Sequence, residues 1–233
     1  MLLTQTQTML LNLRFFIYNI FSSFFRTTVP TKLKKRGHDV ELYGPQYTNP
    51  AQMLMDDYTR LQSNTKMIVH GGYLHVGKYT AMGAGCTIIP GNHTPTVGVP
   101  QFLSYLHIND DDRTITIGED CWIGAGSFLL YKSQIGRGVV VGTCSVVTKP
   151  IPPYAVIAGN PAKIIATRFT IEQILEHETI LYPPQERMSR EELESIFSQF
   201  YEGKRSIGTS DITPENLQKL NSEKRRRGIT IYE

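Results

Sequence analysis

The sequence predicts an all-β solenoid, a parallel coil with three flat sides, from three observations. Aliphatic residues recur every six positions, glycine follows many of them, and a small or short side chain comes four residues after each. A period of six does not fit an α-helix, but it fits one short strand and one turn on each side of a triangular coil. Glycine after the aliphatic residue permits backbone conformations that a Cβ atom would hinder. The clearest aliphatic positions are Val76, Met82, Ile88, Ile117, Ile123, Leu129, Ile135, Val141 and Val147.

The spacing also predicts where the coil is interrupted. Three sides of six residues make a coil of eighteen, which is the step from Ile117 to Ile135. A fainter earlier set includes Met55, and the step from Met55 to Val76 is three residues longer than one coil. The step from Val76 to Ile117 is twenty-three residues longer, so a loop covering about residues 91–113 must leave the coil. Long loops on a rigid scaffold are usually functional.

Composition narrows the class of protein. Of 233 residues, 40% are hydrophobic and 19% charged, as in ordinary globular domains, and the net charge of +3 predicts no nucleic-acid partner. The three cysteines include no CxxC pair, which favours a reducing, cytoplasmic compartment. Cys86 and Cys121 occupy the small inward position of the repeat and are expected to pack rather than react.

The first part of the chain, residues 1–36, is predicted to be an amphipathic helical segment. Residues 9–25 are strongly apolar with helical spacing, lack the features of a signal peptide, and are followed by a basic run at Lys32–Arg36. Two readings stay open. The helix covers one end of the coil, or residues 9–36 rest on the inner, anionic face of a membrane.

The C-terminal part changes character. Thr170-x-x-Gln173 and Ser189-x-x-Glu192 predict capped helices near 171–182 and 190–202, and Thr213-Pro214 predicts the start of a third. The basic run Glu223–Arg227 is expected to be a solvated end, with a phosphate-bearing partner as the alternative. The ladder of strands is expected to end at four prolines, Pro150, Pro152, Pro153 and Pro161.

Three motifs carry a resemblance to a known family: GNH at 91–93, WIGAG at 122–126 and the closing segment 135–165. With the six-residue repeat, they resemble the hexapeptide-repeat acetyltransferases, near the maltose/galactoside and xenobiotic enzymes and the sugar O-acetyltransferases of surface-polysaccharide biosynthesis. The resemblance covers about residues 40–168. It implies a left-handed parallel β-helix over 37–168, with a C-terminal helical extension over 169–233. It also implies a homotrimer that uses acetyl-CoA.

His93 is the predicted general base. Transfer of an acetyl group from a thioester to a hydroxyl requires a base for the hydroxyl proton, and histidine suits this role near neutral pH. His93 is one of six histidines and begins the inserted loop, five residues after Ile88. The resemblance implies the base at this point. No upstream carboxylate is evident to orient it, so a backbone carbonyl is expected to do so.

The resemblance also implies binding residues for both substrates. Asn64 resembles an acceptor-binding asparagine of the galactoside enzymes. From their place in the loop, Asn92 and Tyr105 are expected to line the acceptor pocket, together with Gln101, Phe102 and His107. One departure from the family is LLYKSQIG at 129–136, where a Pro-Gly corner is usual. The residues implied for acetyl-CoA are Trp122, Ala125 (its N–H a candidate oxyanion donor), Thr143, Thr148, Lys149, Lys163 and Arg168.

The predicted function is therefore acetyl transfer from acetyl-CoA to a hydroxyl of a sugar or polysaccharide-type acceptor, with no metal. Two alternatives stay open. A γ-carbonic-anhydrase-like metalloenzyme would use His70 and His75, which have suggestive ligand spacing, but a third ligand is unclear. A non-catalytic β-helix binding module would leave the loop histidine without a role.

Overall fold

The computed structural model describes residues 33–44, 46–47, 50–68, 72–110, 114–230 and 232. Its core consists of three sheets of short strands, in which each of the first twelve strands pairs in parallel with the strand three places later in the chain. Three consecutive strands therefore belong to three different sheets, as the six-residue period predicts. Most of the predicted N-terminal helical segment lies outside the described residues. Its last two residues, however, belong to the first strand, so the coil begins at Lys35 rather than at residue 37.

Every sheet runs along the length of the coil. The first sheet contains β1 (Lys35–Arg36), β4 (Met53–Met55), β7 (Leu74–Val76), β10 (Ile115–Ile117) and β13 (Gln134–Ile135). The second contains β2 (Glu41–Leu42), β5 (Arg60–Leu61), β8 (Ala81–Met82), β11 (Trp122–Ile123), β14 (Val140–Val141), β16 (Ala155–Ala158) and β17 (Lys163–Thr167). The third contains β3 (Gln46–Tyr47), β6 (Lys66–Met67), β9 (Thr87–Ile89), β12 (Phe128–Leu130) and β15 (Val146–Val147).

The strand register confirms the predicted interruptions. Ile117 pairs with Ile135, the eighteen-residue step. Met55 pairs with Val76, and Val76 in turn pairs with Ile117, so both longer steps return to the same position on the first sheet. The extra residues therefore leave the coil without shifting its register.

The interior is filled as the repeat predicts. Each clear aliphatic position is at most 3% exposed, and the small positions are equally buried. Buried hydroxyls at the small positions are satisfied locally: Thr80 Oγ1 donates to the Gly118 carbonyl at 2.7 Å and accepts from the Cys121 N–H at 2.9 Å. Burial raises the pKa of the Cys121 thiol to about 12, which fits the expected packing role.

Glycine follows the aliphatic residue because successive coils stack closely. A Cβ atom on Gly124 would lie 2.6 Å from the backbone nitrogen of Thr143 in the next coil. Cβ atoms do not approach backbone atoms so closely, so packing requires glycine at this position, and a left-handed backbone does not.

The predicted end of the ladder at the prolines is wrong. After Pro150–Pro153 the chain forms β16, which pairs in parallel with β14, and β17 then returns antiparallel to β16. The prolines lie outside the named strands, where a missing N–H breaks no ladder hydrogen bond. The chain reverses between β16 and β17 through Gly159, whose φ is +100°.

Three helices follow: α1 (Ile171–Leu181), α2 (Arg190–Phe200) and α3 (Pro214–Arg227). Both predicted capping boxes are present, and Thr213 caps α3. The basic end of α3 is not simply solvated, because Arg227 forms ion pairs with Asp39 and Glu41 at the start of the coil. Among the described residues, every helix is too short or too polar to span a lipid bilayer.

Candidate active site

The inserted loop leaves the third sheet after β9 and rejoins the first sheet at β10. Within it, residues Gln101–Leu106 form a 3-10 helix that ends at His107, whose φ of 52° is left-handed. The loop is described over residues 91–110. It carries His93 at its start and the 3-10 helix in its second half, so the two parts can meet.

His93 is exposed and is oriented by a backbone carbonyl. Its Nδ1 atom lies 3.1 Å from the carbonyl oxygen of Ser104, in the 3-10 helix. A carbonyl oxygen only accepts hydrogen bonds, so the neutral ring carries its proton on Nδ1 and has a lone pair on Nε2. Within the described part of the chain, no hydrogen bond is recorded for Nε2. This nitrogen is thus available to take a proton from a bound hydroxyl group.

Asp110 is a functional candidate that the sequence did not single out. Its side chain is only 1% exposed, and it accepts hydrogen bonds from the Thr94 backbone N–H at 2.8 Å and from His107 Nδ1 at 2.9 Å. These two bonds, that from Thr94 first, hold the pKa of the Asp110 carboxyl below its ordinary value. Residues 109–112 read Asn-Asp-Asp-Asp. That run gave no signal of which carboxylate turns inward.

The two loop histidines lie side by side. The His93 and His107 rings stack with centroids 5.2 Å apart and planes 21° from parallel. A small pocket of about 10 Å³ adjoins His93 and is lined in part by Gln101, Leu103 and Ile108. The structure thus brings His93, His107 and Gln101 of the predicted set to one place. Asn92 is half-buried directly before His93, while Phe102 and Tyr105 are 88% and 63% exposed.

The WIGAG motif lies on the second sheet and in the turn after it. Trp122 is 48% exposed and stands between Ala81 and Val140 of the neighbouring strands. In the turn, the Ala125 carbonyl accepts from the Cys144 N–H at 2.9 Å. Among the described residues, the Ala125 N–H forms no hydrogen bond, and its nitrogen packs closely against Gly83 of the neighbouring coil.

Turns of the same corner stack from coil to coil. Gly126 N–H bonds the Ala84 carbonyl, and Gly85 N–H bonds that of Ser63, next to Asn64. Asn64 therefore lies on the corner that also carries Ala125 and Thr143–Cys144. Its φ of 57° is the left-handed value that such a corner requires and that asparagine tolerates.

The basic residues implied for coenzyme phosphates fall into two groups. Lys149 and Lys163 are exposed, as is Thr148. Arg168 instead donates from Nη1 to both the carbonyl and the carboxylate of Asp120, at 2.7 Å each. His177 bonds the same carboxylate at 2.8 Å. Arg168 therefore has a structural role in fixing α1 to the coil, which the sequence did not indicate.

Of the two histidines of the alternative metal site, His75 belongs to the described part of the chain. His75 Nε2 lies 2.8 Å from Asp56 Oδ2, and His70 is outside the described residues. A different trio, His93, His107 and Asp110, has ligand atoms within 4.8 Å of one another. In this trio, His107 is joined to Asp110 by a hydrogen bond and to His93 by ring stacking.

Comparison with known proteins agrees with the repeat and the fold. A family model described as bacterial transferase hexapeptide (six repeats) matches residues 114–149. A chloramphenicol acetyltransferase of Klebsiella aerogenes is 44% identical over 75 residues, which are 32% of this chain and 36% of that protein. The chain thus spans about a third of the length of this relative.

Two solved structures share the fold. A hexapeptide-repeat acetyltransferase from Vibrio cholerae, complexed with acetyl coenzyme A, superposes with a TM-score of 0.52 at 21% identity, covering 59% of this chain and 73% of that one. A maltose O-acetyltransferase from Clostridium difficile gives a TM-score of 0.52 at 20% identity, covering 64% and 83%. The resemblance to hexapeptide-repeat acetyltransferases that the sequence indicated is confirmed.

Proposed function

We propose that this protein is an acetyl-CoA-dependent O-acetyltransferase that acts on a hydroxyl of a sugar or polysaccharide-type acceptor, with His93 as general base. The observation that carries the proposal is the His93 Nδ1 bond to the Ser104 carbonyl, which leaves Nε2 as an exposed proton acceptor. The base lies on a loop that leaves a hexapeptide coil, and proteins similar to this chain in that coil are acetyltransferases.

The reaction needs no covalent enzyme intermediate. His93 Nε2 takes the hydroxyl proton as the acceptor oxygen attacks the thioester carbonyl. The oxyanion that forms is stabilised by a backbone donor, for which the Ala125 N–H is the candidate. Collapse of the intermediate breaks the carbon–sulfur bond, and the imidazolium returns its proton to the leaving thiolate. The products are the acetyl ester and free coenzyme A.

Acetyl-CoA is proposed to lie along the corner formed by Trp122, Ala125 and Thr143, with Thr148, Lys149 and Lys163 toward its nucleotide. Exposed lysines suit phosphate binding, because they retain free donors. Arg168 is left out of this proposal since Asp120 already holds it. The acceptor is proposed to approach His93 from the side of Asn92 and Tyr105, with Asn64 and the bound acetyl-CoA reaching it from a neighbouring copy of the chain.

We further infer a left-handed coil and a homotrimer, with the β-helix domain ending near residue 168 and a helical extension after it. The loop supports assembly, because it carries three apolar side chains that are largely exposed, Val97, Phe102 and Tyr105, and exposed apolar surface is favourable to bury in an interface. A cytoplasmic location is part of the proposal, and residues 9–36 either cover one end of the coil or contact the inner face of the membrane.

The test is thiol release from acetyl-CoA by purified protein in the presence of maltose, other saccharides and chloramphenicol. Chloramphenicol is included because the relative from Klebsiella aerogenes bears its name. We expect turnover with at least one saccharide, and His93→Ala to lower kcat by about 10²- to 10⁴-fold, the usual contribution of a positioned general base. Thermal melting of His93→Ala should match wild type, because the ring is exposed.

The matched control is His75→Ala, which removes a histidine of the alternative metal site and lies outside the proposed machinery. Its turnover should equal that of wild type. Unchanged turnover in His93→Ala would disprove the assignment of the base. Activity that disappears with His75→Ala, together with bound zinc in the purified protein, would instead favour the metalloenzyme.

A further inference from the structure

The Ser104 carbonyl joins the two halves of the loop. It accepts one hydrogen bond from the His107 backbone N–H at 3.0 Å and a second from His93 Nδ1 at 3.1 Å. The first bond closes the end of the 3-10 helix, so the position of His107 decides where this carbonyl points. The orientation of the His93 ring thus depends on how His107 is held.

Asp110 holds both His107 and the chain next to His93. Its buried carboxylate receives the His107 Nδ1–H and the backbone N–H of Thr94, the residue that follows His93. One side chain therefore ties the beginning of the loop to its end. The face of the His107 ring then lies against the His93 ring.

We propose that Asp110 and His107 are positioning residues that hold His93 in the tautomer and orientation needed for proton abstraction. Neither touches the reacting atoms in this scheme. Asp110 acts through the Thr94 backbone and through His107, and His107 acts through ring stacking and the Ser104 carbonyl. The inference rests on the proposed function only for its kinetic consequence, because the tautomer of His93 can be measured without substrate.

Three variants separate the contacts. Asp110→Asn is nearly isosteric, but it replaces one of the two accepting oxygens with an NH₂ group. The amide therefore cannot accept both the Thr94 and the His107 hydrogen bonds, and it carries no charge. His107→Phe keeps an aromatic face against His93 and removes the Nδ1–H. Asn109→Gly is the control: it lies in the same loop, its φ of 58° suits glycine, and it loses only a 3.2 Å bond from Nδ2 to Thr96 Oγ1.

The kinetic expectation is a loss in kcat with little change in KM. Misplacement of a catalytic group by about 1 Å costs about 10²-fold in rate, so Asp110→Asn should lower kcat by about that factor and His107→Phe by less. KM for acetyl-CoA should change by less than about threefold, because the cofactor corner is untouched. Asn109→Gly should behave as wild type in both constants.

The second readout is the ¹⁵N NMR spectrum of the His93 ring in the absence of substrate. We expect Nδ1 protonated and Nε2 unprotonated in the neutral wild-type ring, and a mixture of tautomers in Asp110→Asn. If Asp110→Asn fails to fold, His107→Phe and the wild-type spectrum still decide the question.

The possible failures are distinct. Full activity in His93→Ala would overturn the proposed function whatever the spectrum. An inactive His93→Ala, combined with wild-type kcat and a wild-type His93 tautomer in the Asp110 and His107 variants, would overturn the positioning role alone. A parallel rise in KM and fall in stability, with the tautomer unchanged, would also contradict it.

Discussion

The coil carries two attachments, the C-terminal helices and the inserted loop, and they are held in different ways. The helices are held by polar groups on the helix and on the coil. Glu178 of α1, 1% exposed, accepts hydrogen bonds from Arg137 at 3.0 Å and from the Tyr154 hydroxyl at 2.9 Å. The loop is fixed at its base by one buried carboxylate, Asp110, while His93 stays exposed.

The comparison distinguishes charged groups that stabilise the fold from side chains that are available for a reaction. Where the helices are attached, the charged groups are paired with each other: Arg137 with Glu178, and Arg168 with Asp120. In the loop, the buried carboxylate organises the backbone, and a histidine nitrogen remains available. In this protein, an ionisable group with a shifted pKa therefore indicates a functional site only where a neighbouring side chain keeps an unbonded nitrogen or oxygen atom, as His93 does beside Asp110.

The largest stability effect is expected where the helices are attached. Glu178→Ala removes the acceptor shared by Arg137 and Tyr154, while Arg137 keeps Glu119 as a carboxylate partner. Loss of these two buried hydrogen bonds to a charged group should lower the free energy of unfolding by about 3 kcal/mol. Urea unfolding followed by circular dichroism measures it.

Its control is Glu176→Ala, an exposed glutamate on the same helix, which should change stability little. Turnover per folded molecule should survive Glu178→Ala, because the loop is not involved. Equal stability of the two variants would show that the buried network contributes nothing, and the comparison between the two attachments would fail.

A smaller effect is expected at the start of α1. Thr170 Oγ1 accepts from the Gln173 N–H at 3.3 Å, and Gln173 Oε1 accepts from the Thr170 N–H at 3.0 Å. Thr170→Ala removes the capping oxygen and should destabilise the protein by about 1 kcal/mol. Thr170→Ser retains the oxygen and should lie close to wild type in the same unfolding experiment. A loss as large in the serine variant would mean that the threonine methyl group, rather than the cap, is what matters.

These two regions also mark what the sequence could and could not predict. The repeat is a local property, so the coil register, the inward side chains, the capping boxes and the loop that carries His93 followed from spacing alone. Contacts between distant segments did not. Arg168 was expected near coenzyme phosphates, but it is paired with Asp120, forty-eight residues earlier. Only the packing of β17 and α1 against the coil brings these two charges together.

The ladder end and Asp110 were missed for related reasons. Proline ends a strand only where its N–H would have been used, and these prolines lie between the strands, so the sheet continues to β17. In the Asn-Asp-Asp-Asp run, four polar side chains are equivalent until the loop closes. Asp110 turns inward because the Thr94 N–H and the His107 ring donate to its carboxylate, and neither donor is visible as a pattern in the sequence.

Acidification is expected to have the smallest effect on global stability, although it should remove the carboxylate that holds the base of the loop. Because the bonds from Thr94 and His107 hold the pKa of Asp110 below its ordinary 3.8, the anchor is fully present above that value and is lost as the pH falls through the lowered one. Protonation removes the negative charge that receives the Thr94 N–H. The Thr94 amide proton should therefore move upfield in a titration from about pH 5 to about pH 2.5, with its midpoint below the ordinary carboxyl range.

The same signal should not titrate in Asp110→Asn, and the coil amides, such as that of Ile123, should stay unchanged over the range where Thr94 responds. A Thr94 midpoint above 3.8 would mean that the carboxylate is not stabilised by these donors, and the loop would then need another anchor to keep His93 in place.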